Sequence, residues 1–296
     1  MRALVAFARL SRPLFLYGGF AGVALGAAVA ASSGHRLQLA TYGWAQLLVT
    51  AFQLMVHYAN DYFDRDGDLA TGRTPWSGGS GIIASGALPA RIAWIAALAC
   101  AALGAAASLR FALAGNATVA ALGAAILVLA WTYSAPPVRL AARGLGELDT
   151  ALVVGVLVPA AGYAAFAHGL DGRLLTAAFP CALAMVAMML CVELPDAGSD
   201  HGCGKQTLVV RLGPARTWQI AAGLACAAAM MAVTLGWRTA HAAGALFLVP
   251  ACVAAAAIAL AALRDPRPAT LAFRGVALYA ATVTGLAASY ALRAGF

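Results

Sequence analysis

Three carboxylates, Asp61, Asp64 and Asp68, stand in the spacing acid-x-x-acid-x-x-x-acid, and Glu193, Asp196 and Asp200 repeat it 132 residues later. Residues three, four and seven apart share one face of a helix, so each set forms a line of negative charge. Six like charges turned toward one cavity repel unless something positive sits among them. Donors that are all oxygen suit a hard cation such as Mg2+. Zinc is disfavoured, since His201 and Cys203 are the only soft donors adjacent to either set. The repeat continues past the acids: Gly72-Arg73 lies four and five residues beyond Asp68, and Gly204-Lys205 four and five beyond Asp200. Arg73 and Lys205 are thus matched cations beside a metal-binding surface. They suit a diphosphate that fills the rest of the metal's shell and leaves with developing charge.

The elements that position these residues are hydrophobic. The chain has 296 residues, 63% of them hydrophobic and 10% charged, with a mean hydropathy of +0.84. A bilayer-crossing helix needs roughly 20 mainly apolar residues. Nine stretches meet that need, at 14–31, 40–59, 91–109, 115–133, 149–167, 174–193, 215–236, 243–263 and 273–292. Lipid leaves no partner for unpaired backbone groups, so these segments are expected to be helices in an all-α polytopic bundle. Residues 1–296 are read as a single membrane-embedded domain of two related halves, with the repeat at 60–73 and 193–205.

Charge sets the orientation. With the N-terminus on one side, that side carries 14 of the 19 Lys and Arg residues and the other side 5. The bias predicts a cytoplasmic N-terminus and a C-terminus outside. Ten of the eleven Asp and Glu residues fall on the same cytoplasmic side, leaving Asp171 outside, which places the metal site at the inner face. The basic residues are scattered singly, which excludes a nucleic-acid surface despite the net charge of +8. Arg2, Arg9 and Arg12 ahead of an apolar run and Ala28-Val29-Ala30 have the outline of a signal peptide, but the segment is read as the first span. Five of the six cysteines lie in apolar spans and read as small buried hydrophobes rather than disulfide or metal ligands.

A diphosphate held at the mouth of an apolar bundle points to an isoprenoid, its head on the metals and its tail among helices or lipid. N-D-Y-F-D-R-D-G-D, residues 60 to 68, resembles the N-D-x-x-D-x-x-x-D motif of the UbiA superfamily of intramembrane prenyltransferases. E-L-P-D-A-G-S-D-H-G-C-G-K-Q-T-L, from Glu193, is similar to the family's second motif, D-x-x-x-D followed by G-K-x-T-L. Y-S-A-P-P-V-R-L-A-A-R-G-L-G-E, residues 133 to 147, resembles the Tyr-Ser-x-Pro-Pro loop of the dihydroxynaphthoate polyprenyltransferase-like branch. The resemblance implies that Asn60, Asp64 and Asp68, with Asp61 nearby, and Asp196 and Asp200 hold two Mg2+ ions bridging a polyprenyl diphosphate. It implies that Lys205 and Arg73 contact the diphosphate oxygens, and that Asp64, Asp196 and Lys205 are the catalytic set. An allylic carbocation would then be attacked by an aromatic acceptor, as in quinone or related lipid biosynthesis.

Tyr133, Arg139 and Arg143 would cap the site and orient a carboxylated acceptor, with Glu193 among the substrate-facing residues. Two positions depart from the branch: Glu193 stands where Asn is common, and Gly81 where a basic residue is expected. Trp76 and the glycines at 78, 79 and 81 read as a flexible cytoplasmic lid, since no strand precedes them and no GKS/T follows. Two other readings compete. One is a prenyltransferase with a non-aromatic acceptor. The other is a secondary transporter, which needs ionisable residues near mid-membrane, whereas these sit at helix ends. Acceptor, prenyl chain length and oligomeric state are not legible in the sequence.

Overall fold

A computed structural model describes residues 2–65, 79–263 and 268–296, and among them every regular element is helical. A short helix, α1 (Arg2–Leu10), precedes four long ones: α2 (Pro13–Ser32), α3 (Leu39–Phe63), α4 (Ala90–Leu113) and α5 (Ala117–Ser134). α6 (Gly146–Leu152) and α7 (Val158–Ala167) form one span joined by a π-helical turn, followed by α8 (Gly172–Glu193) and the short α9 (Ala197–Gly202) and α10 (Leu208–Leu212). α11 (Pro214–Leu246), α12 (Val249–Ala262) and α13 (Pro268–Ala294) complete the bundle. Polar side chains at the boundaries set the starts. Asn116 accepts from the Val119 N–H, and Asp171 from the N–H groups of Arg173 and Leu174, each satisfying donors that a first turn leaves free. Pro13 and Pro214 begin α2 and α11, where a missing N–H costs nothing.

Among the described residues, eight helices are long and apolar enough to span a bilayer, and the expected ninth, α12, is shorter at 14 residues. The difference has a local cause. α11 is broken at Ala240 (φ −141°, ψ 29°) and His241 (φ 52°, ψ −140°), where the chain turns back. The expected spans at 215–236 and 243–263 are therefore the two legs of this reversal, and the second leg is split between the end of α11 and α12.

α2, α3, α4 and α5 pack on one another, α8, α11, α12 and α13 form a second group, and α7 and α2 touch both. The α2–α7 contact is nearly backbone on backbone. A Cβ on Gly26 would stand 2.0 Å from the Pro159 carbonyl oxygen, and one on Gly162 would stand 2.5 Å from that of Val23. Small residues allow this approach, which supplies dispersion contacts where lipid offers no hydrophobic drive. Pro159 also shapes the π turn. The Val158 N–H bonds the Val153 carbonyl, and Pro159 has no N–H for the carbonyl of Val154. The Tyr279 hydroxyl from α13 donates to it instead, at 3.3 Å.

α1 lies against the C-terminal end of α3. Its Ala6 and Leu10 are buried in a small cluster with Tyr58, Ile82 and Ile83, while Leu4 and Val5 are exposed. This corrects the reading of a loose lid from residue 79 onward, because Ser80, Ile82 and Ile83 are buried. Trp76 and Gly78 lie outside the described residues. The cysteine reading also needs correction. All six thiols are unpaired, but only Cys181 and Cys191 are buried, and Cys252 and Cys203 are exposed.

Candidate active site

The last turn of α3 carries Asn60 and Asp61, and Asp64 caps its C-terminus. Asn60 and Asp64 are one turn apart, and the Asn60 Nδ2 donates to Asp64 Oδ2 at 3.1 Å and to Ser134 Oγ at 3.0 Å. Arg12, at the junction of α1 and α2, donates to Asn60 Oδ1 at 3.0 Å and forms an ion pair with Asp61. Asp61 is 2% exposed, and its second oxygen accepts from the Ser80 hydroxyl while the first also accepts from the Ser80 N–H at 3.2 Å. Both of its oxygens are engaged, so Asp61 fastens the entry of α2 and the 79–83 segment to α3.

The second acidic set is built by a continuous run. α8 ends at Glu193, Pro195 sits in a 3-10 turn spanning Leu194–Asp196, and α9 carries Asp200. Gly204 then adopts φ 76°, and the Lys205 N–H bonds back to the Asp200 carbonyl at 2.9 Å. This left-handed C-terminal turn, which favours glycine, reverses the chain and points Lys205 back at the acids. Its Nζ lies 3.1 Å from Asp64 Oδ2 and 3.6 Å from Asp200 Oδ1. One cation thus bridges the two motifs across 141 residues of sequence.

Asn60, Asp64, Tyr133, Glu193, Asp196, Asp200 and Lys205 line one cavity of about 790 Å3. Beyond this polar rim the wall is mainly apolar, with Phe15, Val56, Val153, Met185, Met188 and Val276, interrupted by Gln53 and His57. The sequence-derived residues Asp68 and Arg73 lie outside the described residues. Arg139 reaches the rim from the loop after α5, its Nη2 3.6 Å from Asp64 Oδ1. Arg143 does not reach it: its Nη2 donates to the Pro137 carbonyl at 2.8 Å, and its own carbonyl accepts from Arg211 at 2.7 Å. It closes the loop on itself and onto α10 rather than facing the cavity.

Three participants escaped the sequence reading. Arg12 passed as one of many inner-face cations. Glu147 is 0% exposed and accepts from the Leu208 N–H at 2.6 Å through Oε1. Asp149 lines the cavity at 7% exposure. Both acids had been counted on the inner face, and only their tertiary placement distinguishes them.

The donor set accommodates Mg2+ chemically. It is all oxygen, and Lys205 Nζ stands between Asp64 and Asp200, where two facing carboxylates require positive charge. Buried oxygens of Glu147 and Glu193 also lack protein partners. Among the described residues, no three His, Cys, Asp or Glu side chains group closely enough to hold a metal ion by themselves. The arrangement suits an ion completed by substrate oxygens more than one enclosed by protein.

Residues 20–286 match the UbiA prenyltransferase family. The chain belongs to that family. A 96-residue stretch is 32% identical to a 2-carboxy-1,4-naphthoquinone phytyltransferase from Synechocystis sp. (strain ATCC 27184 / PCC 6803 / Kazusa), covering 32% of this chain and 31% of the relative, so the match spans about a third of its length. The fold resembles a UbiA homolog from Archaeoglobus fulgidus bound to DMAPP and Mg2+, with TM-score 0.62 and 19% identity over 95% of this chain and 98% of that one. It also resembles a digeranylgeranylglyceryl phosphate synthase in membranes, with TM-score 0.65 and 14% identity over 99% of both chains. At these identities the structural likeness is one of fold. Eight span-length apolar helices and this family make the chain an integral membrane protein.

Proposed function

We propose that this UbiA-family chain transfers a prenyl group from a polyprenyl diphosphate to an aromatic acceptor, with Mg2+, in the biosynthesis of a quinone or related lipid. The observation that carries the reading is one cavity whose rim holds residues of both acidic motifs, bridged by Lys205, and whose remaining wall is mainly apolar. Such a vessel fits a charged head and a hydrocarbon tail. The matched naphthoquinone relative and the DMAPP-bound fold neighbour point to the same substrate classes.

In this reading Asn60, Asp64, Asp68, Asp196 and Asp200 would hold two Mg2+ ions, with Asp61 positioning the α3 end. The metal, when bound, neutralises diphosphate oxygens and so makes the diphosphate a better leaving group. Lys205 and Arg139, which face Asp64 at the rim, would contact the diphosphate oxygens together with Arg73. As the C–O bond breaks, its electron pair goes to the diphosphate and these cations stabilise the growing charge. The apolar wall excludes water that would quench the allylic cation. Tyr133 and Glu193, at the rim, face the acceptor. The chain acts as one membrane domain, residues 1–296, with the site on the cytoplasmic side.

The test is incubation of purified protein with Mg2+ and a labelled prenyl diphosphate against a panel of aromatic acids, with products identified by mass. A prenylated aromatic is expected. Label appearing only on glycerol- or sugar-phosphate acceptors would replace the aromatic reading with the non-aromatic one.

A further inference from the structure

Electrophilic prenylation of a ring leaves a proton to dispose of, and the roles assigned above include no acceptor for it. Breaking the C–O bond sends an electron pair to the diphosphate. The ring then supplies the electron pair of the new C–C bond and becomes an arenium cation. Aromaticity returns only when the C–H at the attacked carbon gives its electrons to the ring and its proton to a base.

Asp64 is held by Lys205, Arg139 and Asn60, and Asp200 by Lys205. Glu193 and Asp196 belong to the second acidic motif at the end of α8. Asp149 stands apart from both motifs. It sits on α6 three residues inside Gly146, about 4.5 Å along the helix from its start. Val153, one turn further on, and Met188 and Met189 of α8, which packs on α6, line the same cavity. Asp149 therefore lies at the boundary between polar rim and aliphatic depth, the level at which a prenyl C1 sits when its diphosphate is on the rim. Its side chain is more than nine-tenths buried, and Oδ1 has no hydrogen-bond partner. A buried oxygen without a partner costs stability, and a site keeps one where a hydrogen arrives with the substrate.

We infer that Asp149 is the general base that removes the ring proton after C–C bond formation, an inference that rests on the aromatic-acceptor reading. Its carboxylate takes the proton while the diphosphate leaves separately with its electron pair, so charge and atoms balance. A second cavity-lining base exists in His57, whose Nδ1 is 3.0 Å from the Ser11 carbonyl oxygen on the Arg12 side. The test has to separate the two.

The experiment compares wild type, Asp149→Asn, Asp149→Glu and His57→Gln in detergent, using an aromatic acid that wild type prenylates, unlabelled or deuterated at the attacked carbon. In wild type, proton loss is expected to follow the slow step, so that deuteration leaves turnover unchanged. Asp149→Asn is expected to lower turnover on the order of 10²-fold, leave KM for the prenyl diphosphate near the wild-type value, and reveal a primary deuterium effect. Asp149→Glu, which retains a displaced carboxylate, is expected to recover part of the rate with a smaller deuterium effect, and it carries the test alone if the Asn variant does not fold. A slow Asn variant without a deuterium effect, an unimpaired one, or the deuterium effect appearing in His57→Gln instead would each overturn the assignment. Absence of any prenylated aromatic from wild type overturns the underlying reading as well, and so is distinguishable from failure at Asp149 alone.

Discussion

Lys205 occupies its position because of the residue before it: the left-handed turn at Gly204 returns the chain toward α3, and the ammonium then meets Asp64 and Asp200. Lys205→Gln is expected to reduce turnover on the order of 10²-fold, about 3 kcal/mol of transition-state stabilisation, while leaving insertion unchanged. Lys205→Arg keeps the charge but replaces a compact ammonium by a planar fork, so partial recovery is expected. Equal rates for Gln, Arg and wild type would reduce Lys205 to an interfacial charge. Asp64→Asn and Asp200→Asn should each abolish turnover in a folded protein, and chelation of Mg2+ should do so reversibly; near-normal activity of Asp200→Asn would contradict a two-motif site. These residues were legible because the repeat writes them twice at one offset. Arg12, Glu147 and Asp149 were not, because nothing local marks them. Arg12 meets Asn60 and Asp61 across almost fifty residues, and Glu147 meets the Leu208 N–H across sixty-one. Arg143 was misjudged for the converse reason: a base four residues from Arg139 looks equivalent in sequence, but the loop turns it onto the Pro137 carbonyl.

At the scale of elements, the helices were readable from apolar length, and the irregularities were not. The π turn between α6 and α7 follows from Pro159, yet its consequence, a Val154 carbonyl served by Tyr279 of α13, requires the tertiary fold. Tyr279→Phe keeps the ring and removes the donor. It is expected to lower stability by about 1–3 kcal/mol, the cost of an unsatisfied buried acceptor, measured as loss of thermal stability in detergent. An unchanged melting temperature would mean that the carbonyl finds another partner. Gly26→Val tests the α2–α7 seam, where the added Cβ meets the Pro159 carbonyl. Overpacking of this kind is expected to cost about 1–3 kcal/mol as well. The reversal at Ala240 and His241 carries no glycine or proline at its centre, so the apolar pattern alone showed two spans without showing how they join.

Across the whole molecule, the asymmetry of Lys and Arg predicts sidedness. A reporter fused after Phe296 should read as extracytoplasmic and one inserted at 70–85 as cytoplasmic; the reverse would remove the inward-facing site. The all-helical bundle was legible from hydropathy because lipid permits so few alternatives. The role of α1 was not, since nine residues are too few for a span and its basic residues look like any other charges of the positive-inside bias. Yet α1 holds the mouth of the cavity. Leu10 and Ala6 seat it on α3, Arg9 and Arg12 border the cavity, and Arg12 pins Asn60 and Asp61, while Leu4, Val5 and part of Phe7 face outward. Exposed apolar side chains on a short helix suit the headgroup region, so the lateral pressure of the leaflet is expected to bear on the same short helix whose end aligns Asn60. Turnover in nanodiscs should therefore vary with headgroup packing, between phosphatidylethanolamine and phosphatidylcholine for example. Leu4→Ser with Val5→Ser should flatten that variation without altering the rate in detergent, making the membrane's mechanical state an input to the chemistry.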